Sequence, residues 1–119
     1  MDSRLLHLTY SKAFASVAWD RHGEHEYVLV GDGLAIEHSS LQELIDLTFS
    51  TNTLWLSPSR HSALSVLRSK AADFMASRLQ PRATVVLTDE DVSTFIELSF
   101  LGVARTGKAR ANYSFKRTR

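Results

Sequence analysis

Apolar residues along this chain fall into short runs separated by polar punctuation, and the spacing inside each run predicts its element. Leu6, Tyr10, Ala13, Phe14 and Val17 fit a helical stripe, whereas Ala13, Ala15, Val17 and Trp19 alternate as a strand does. The turn-like Asp20-Arg21-His22-Gly23-Glu24 that follows favours a strand over about 13–19. Tyr27-Val28-Leu29-Val30 is β-branched and aromatic, and Gly31-Asp32-Gly33 turns it into Leu34-Ala35-Ile36. The N-terminal third is therefore predicted as a meander of short strands.

Helical signals come next. Ser40 and Glu43 have the spacing of a capping box, and Leu41, Leu44, Ile45, Thr48 and Phe49 share one face. Thr53-Leu54-Trp55-Leu56 reads as a short strand. Ser57 and Pro58 then suit an N-cap and a first helical position. Leu64, Leu67, Ala71, Phe74, Met75 and Leu79 recur at spacings of three and four until Pro81, which predicts a second helix over 58–80. Ala83-Thr84-Val85-Val86-Leu87 follows as a buried strand, so 53–56, 58–80 and 83–87 could form one right-handed parallel crossover. Thr88-Asp89-Glu90-Asp91 places acids where a third helix would begin. Its face would hold Val92, Phe95, Ile96, Ser99 and Phe100, and Gly102 would stop it. The expectation is an α+β fold: an N-terminal β-meander or hairpin, then about three helices alternating with short strands in one layered domain.

Composition fits that picture. A chain of 119 residues, 44% hydrophobic and 23% charged, can form one domain around its own core without a staple. It has no cysteine, which excludes a disulfide scaffold, a thiolate zinc site and a cysteine nucleophile. No run approaches a membrane span and the first residues lack the apolar run of a secretory signal, so the expected location is cytoplasmic. Charge is unevenly placed. After position 104 come Arg105, Lys108, Arg110, Lys116, Arg117 and Arg119 with no acid, leaving residues 1–104 at a net of −5. A body over 1–104 and a basic tail over 105–119 are expected, and the acidic body argues against a nucleic-acid partner.

The final segment, Ala111-Asn112-Tyr113-Ser114-Phe115-Lys116-Arg117-Thr118-Arg119, can be back-translated into codons that resemble attC, the recombination site of integrons. Reading frames in gene cassettes often end inside attC. The resemblance covers nine residues and implies an integron gene cassette protein: bacterial, mobile and accessory. It implies no fold and no catalyst, and it implies that the tail's basicity was selected as DNA.

Few motifs suggest chemistry. Gly102-Val-Ala-Arg-Thr-Gly107-Lys108 spells the phosphate-loop pattern, but Ala109 stands where a magnesium-holding hydroxyl belongs, so it is read as chance. Asp20, His22, Glu24, His25 and Glu26 cluster at an expected turn; His22, Glu24 and His25 form a metal candidate, and a solvated turn is the simpler reading. No metal or cofactor is assigned. The start of the helix expected at 58 is the preferred ligand site, with Arg60 and His61 in its first turn and Trp55 just upstream, suited to a small carboxylate or phosphate. Trp19, Tyr27, Phe49, Phe74, Phe95 and Phe100 read as core, and His7 and His38 have no recognisable partner.

The function expected is accessory binding of a small molecule or a partner protein by a homo-oligomer, most simply a dimer. That oligomer rests on the apolar stripe of 58–80 and the aromatic tail. The rivals are a small-metabolite hydrolase or transferase with a spatially assembled site, and a toxin–antitoxin component.

Overall fold

The computed structural model describes residues 3–56 and 64–110. At the N terminus the helical stripe prevails. Helix α1 (Ser3–Ala15) turns Leu6, Tyr10, Ala13 and Phe14 towards one apolar cluster. It ends where Ser16 donates both its N–H and its hydroxyl to the Ala13 carbonyl, at 3.0 and 2.8 Å. Strand β1 (Val17–Trp19) follows at once. The strand expected over 13–19 is therefore confined to its last three residues. The alternation ran on past the helix end because Ala13 and Val17 bury into the same cluster.

Of the expected meander only a two-stranded hairpin pairs locally; the strands before it pair with residues 103–109 near the end of the chain. Strand β2 (Val28–Leu29) leads into a hairpin of β3 (Gly31–Asp32) and β4 (Ala35–Ile36). Helix α2 (His38–Thr48) buries Leu41 and Ile45. Its N-cap is Glu37, which makes no side-chain cap; instead Ser40 donates its hydroxyl to Glu37 Oε1 at 2.7 Å. The capping box expected at Ser40 and Glu43 is thus replaced by a helix whose cap lies three residues earlier, at Glu37.

Two expected helices give way to strands. β5 (Thr53–Leu56) pairs antiparallel with β6 (Leu64–Leu67), from Thr53 opposite Leu67 to Leu56 opposite Leu64. Among the described residues of the helix expected over 58–80, Leu64–Leu67 is strand and the helical part is a 3₁₀ turn (Arg68–Lys70) and α3 (Ala71–Arg78); its expected start at Ser57 and Pro58 lies outside those residues. β7 (Thr84–Thr88) also runs antiparallel to β5, which rules out the parallel crossover. The third helix is β8 (Thr94–Ser99), and Gly102, at φ +84°, turns it into β9 (Val103–Ala109). The boundary expected at 104/105 falls inside β9, so residues 105–109 belong to the sheet and not to a tail.

The main sheet has seven strands, in the order β1-β9-β8-β7-β5-β6, and β2 also pairs with β9. One edge of β9 is shared: β2 lies against Val103 and Ala104, and β1 against Gly107 to Ala109. Each face of the sheet carries its own core. α2 and α3 cover Leu54, Leu56, Val85, Leu87, Ile96, Leu98 and Ala104, while α1 covers Val86, Val92 and Phe95. The result is a three-layer α+β domain with the sheet in the middle. No helix among the described residues is long and apolar enough to cross a membrane.

Candidate functional site

Trp55 stands on β5, partly buried against the α1-side cluster. Arg60 and His61, together with the helix start expected at Ser57 and Pro58, lie outside the described residues. At the other candidate, His22 and His25 face each other across an exposed turn closed by His22 N–H on His25 O at 2.6 Å, with Gly23 at φ +71°. Glu24 lends that turn its carbonyl, which accepts from Arg21 at 2.6 Å. Among the described residues no three His, Asp or Glu side chains are grouped to hold a metal. Gly107 and Lys108 of the phosphate-loop pattern lie in extended β9, with no loop or following helix to cradle an anion. His38, from α2, lies 2.6 Å from Asp73 of α3. The aromatics divide: Phe49 and Phe95 are core, whereas Tyr27 and Phe74 are exposed.

The densest polar cluster was not anticipated. On β9, Arg105 stands opposite Glu97 of β8, and its Nε donates to Glu97 Oε1 at 2.7 Å. Its Nη1 reaches Glu26 Oε1 at 3.3 Å, and its guanidinium lies 3.8 Å from the Trp19 ring centroid and 5.4 Å from that of Tyr27. Asp20 fastens the same loop by accepting the Thr106 hydroxyl at 2.7 Å. From α1, Tyr10 stacks on Phe14 and has its phenol pKa pushed from 10.0 up to about 12, by burial first and by the charge of Glu97 second. Two carboxylates and two rings already engage the guanidinium. The cluster therefore clasps the 20–27 loop onto the sheet and is poorly suited to receiving an anion.

An apolar trough opens at the opposite end of β9. Between β2 and the outer side of α2 lies a hollow of about 240 Å³ lined by Val28, Leu29, Leu44 and Leu47, with Glu43 on its rim. A second hollow, of about 390 Å³, shares Leu29 and Val30 and extends to Ile36, Asp32 and Glu37. Leu29 and Leu47 are 74% and 80% exposed, the two most open large apolar residues among those described. The residues lining both hollows include three acids and no base.

The backbone adds to this. Val30 N–H bonds Gly102 O at 2.9 Å, which continues the β2–β9 register, so even-numbered positions of β2 bond to β9. In an antiparallel ladder the intervening residue, Leu29, then directs its N–H and C=O away from β9. Among the described residues β2 has no strand on that side. An outward strand edge beside an apolar hollow can receive an extended chain by strand addition.

A third hollow, of about 440 Å³, is lined by Gln42, Asp46, Asn52 and Arg68. Its polar groups are engaged with one another: Gln42 donates to Arg68 O at 2.8 Å and to Asp46 at 3.0 Å, and Arg68 donates to Phe49 O at 2.9 Å. This network joins α2 to the turn before α3. Comparison of the chain with protein-family models, curated proteins and solved structures finds no match.

Proposed function

We propose that this protein is an accessory binding module that works through protein–protein contact at the β2–α2 trough, and that its first partner is a second copy of itself. The observation that carries the reading is the coincidence of exposed Leu29 and Leu47 with the outward edge of β2. Apolar exposure of this kind beside an open strand edge is costly to leave in water and rewards a partner that covers it. The hollow between β2 and α2, at about 240 Å³, falls below the roughly 300–1,000 Å³ of drug-sized ligand pockets and the adjoining one, at about 390 Å³, falls within it, so the open strand edge and not the volume favours a peptide chain over a metabolite. Of the apolar stripe that suggested an oligomer from 58–80, Ala71, Met75 and Leu79 are buried in the chain's own core, while Leu67 and Phe74 are exposed away from the open edge of β2.

Sedimentation velocity over a range of concentrations tests the reading. The full chain should self-associate, and Leu47→Glu, at a position 80% exposed, should weaken that association without changing the far-UV circular dichroism. A single monomeric species at every concentration, unaltered by the substitution, would refute it.

A further inference from the structure

We propose that the trough of one protomer is filled by residues 111–119 of the other, added as an extended strand along β2. This rests on the reading above and names the segment that makes the contact. Three features of the trough match that segment. The apolar floor matches Tyr113 and Phe115, which are two residues apart and so lie on the same side of an extended chain. The rim carries Asp32, Glu37 and Glu43 with no base, and the segment carries Lys116, Arg117 and Arg119 with no acid. The outward N–H and C=O of Leu29 offer the main-chain bonds that strand addition needs.

Reach decides between the chain's own trough and its partner's. β9 starts beside β2 and carries the chain away from the trough, so Arg110 lies about 23 Å from Val103 at roughly 3.3 Å per residue. From Arg110 an extended chain gains at most about 3.5 Å per residue, placing Tyr113 within about 10 Å and Phe115 within about 18 Å. Tyr113 cannot return to its own trough, and Phe115 approaches it only at full stretch, which leaves no length of chain to lie along β2. Two copies related by a two-fold axis can exchange the segments reciprocally.

The test uses full-length chains in sedimentation velocity. Leu47→Glu spoils the trough and leaves the segment; Tyr113→Ala with Phe115→Ala spoils the segment and leaves the trough. Each variant alone should self-associate about tenfold or more weakly than the parent, as loss of an anchoring contact does. An equimolar mixture of the two should recover a dimer, because it contains one intact trough and one intact segment. A synthetic peptide of residues 108–119 should dissociate the parent dimer, and a scrambled peptide should not. If Leu47→Glu weakens association and the double variant does not, the copies meet trough to trough: the segment is not the occupant, and the binding reading stands. If both variants weaken association but the mixture recovers nothing, the segment acts elsewhere and the inference fails. If the parent is monomeric, both readings fail.

Discussion

Arg105 joins more distant parts of the chain than any neighbouring residue, and its removal should be felt in all of them. Arg105→Ala leaves Glu97, whose side chain is only 12% exposed, without its cation. Stranding a mostly buried carboxylate in this way should cost about 2 kcal/mol or more in urea unfolding, and adding Glu97→Gln should recover part of it. Tyr10 gives a pH dependence of definite sign. Its folded pKa of about 12 lies above the unfolded value of 10.0, so the stability tied to the neutral phenol is complete below pH 10 and is lost as pH rises from there towards about 12. A difference of that size corresponds to about 2–3 kcal/mol. Urea midpoints at about pH 9 and about pH 11 should therefore fall less in Tyr10→Phe than in the parent; an equal fall would remove Tyr10 as the cause. Gly102 sits at φ +84°, where a Cβ would meet the Gly31 carbonyl and the Gly33 nitrogen at 2.9 Å. Gly102→Ala should destabilise by about 2 kcal/mol, since both the left-handed backbone and the backbone contact oppose it. Part of the Arg105 cluster could have been read in advance. Glu97 interrupts Thr94-Phe-Ile-Glu-Leu-Ser and Arg105 interrupts Val-Ala-Arg-Thr-Gly, and a charge inside a buried run requires an opposite partner. Glu26, Trp19 and Tyr10 carry no such mark, because only the fold brings them near.

Among the elements, α2 and β5 were legible because each has one buried face, β7 because it is a short apolar run buried on both sides, and the β3–β4 hairpin because glycines punctuate it. The errors share a physical origin. β8 is covered on both sides, so Phe95, Ile96, Leu98 and Ser99 are all buried and alternation disappears. Val92, Phe95, Ile96 and Ser99 then imitate a helical stripe, and the acids before them look like its first turn. At 64–79 a strand passes into a helix with only the 3₁₀ turn between them, and the apolar residues of β6 and α3 happen to fall in phase. What holds that junction is Gln42. Besides its bond to Arg68 O, its Oε1 accepts the Ala72 N–H at 3.2 Å, satisfying one of the free donors at the start of α3. Gln42→Ala should lower stability by about 1–2 kcal/mol, visible as a lower thermal midpoint, whereas Gln42→Glu should retain the Ala72 bond and lose the one to Arg68 O. Equal losses in the two variants would show that the Ala72 bond contributes nothing.

At the scale of the whole molecule, one sheet serves two cores, so neither layer of helices can leave without exposing the strands beneath it. Trp19 and Trp55 report on the α1 side, and far-UV circular dichroism reports on the sheet and all three helices. The two signals should give coincident urea transitions; an earlier loss of tryptophan fluorescence would mean that α1 detaches as a separate unit. The α+β class could be foreseen from composition and runs, but the position of residues 105–109 could not. Their basic character suggested a solvated extension, yet β9 buries Ala104, Thr106 and Gly107 within the sheet and leaves Lys108 exposed. That placement has a temporal consequence. β1 forms its ladder with β9 alone, and Val17 lies opposite Ala109, so about ninety residues must be synthesised before β1 has a neighbour. At roughly 5–20 residues per second the ribosome takes about 5–18 seconds to supply it. For that interval the nascent chain displays α1, β1 and β2 with no sheet to lie on, a window in which a chaperone that grips exposed leucines has first claim on them.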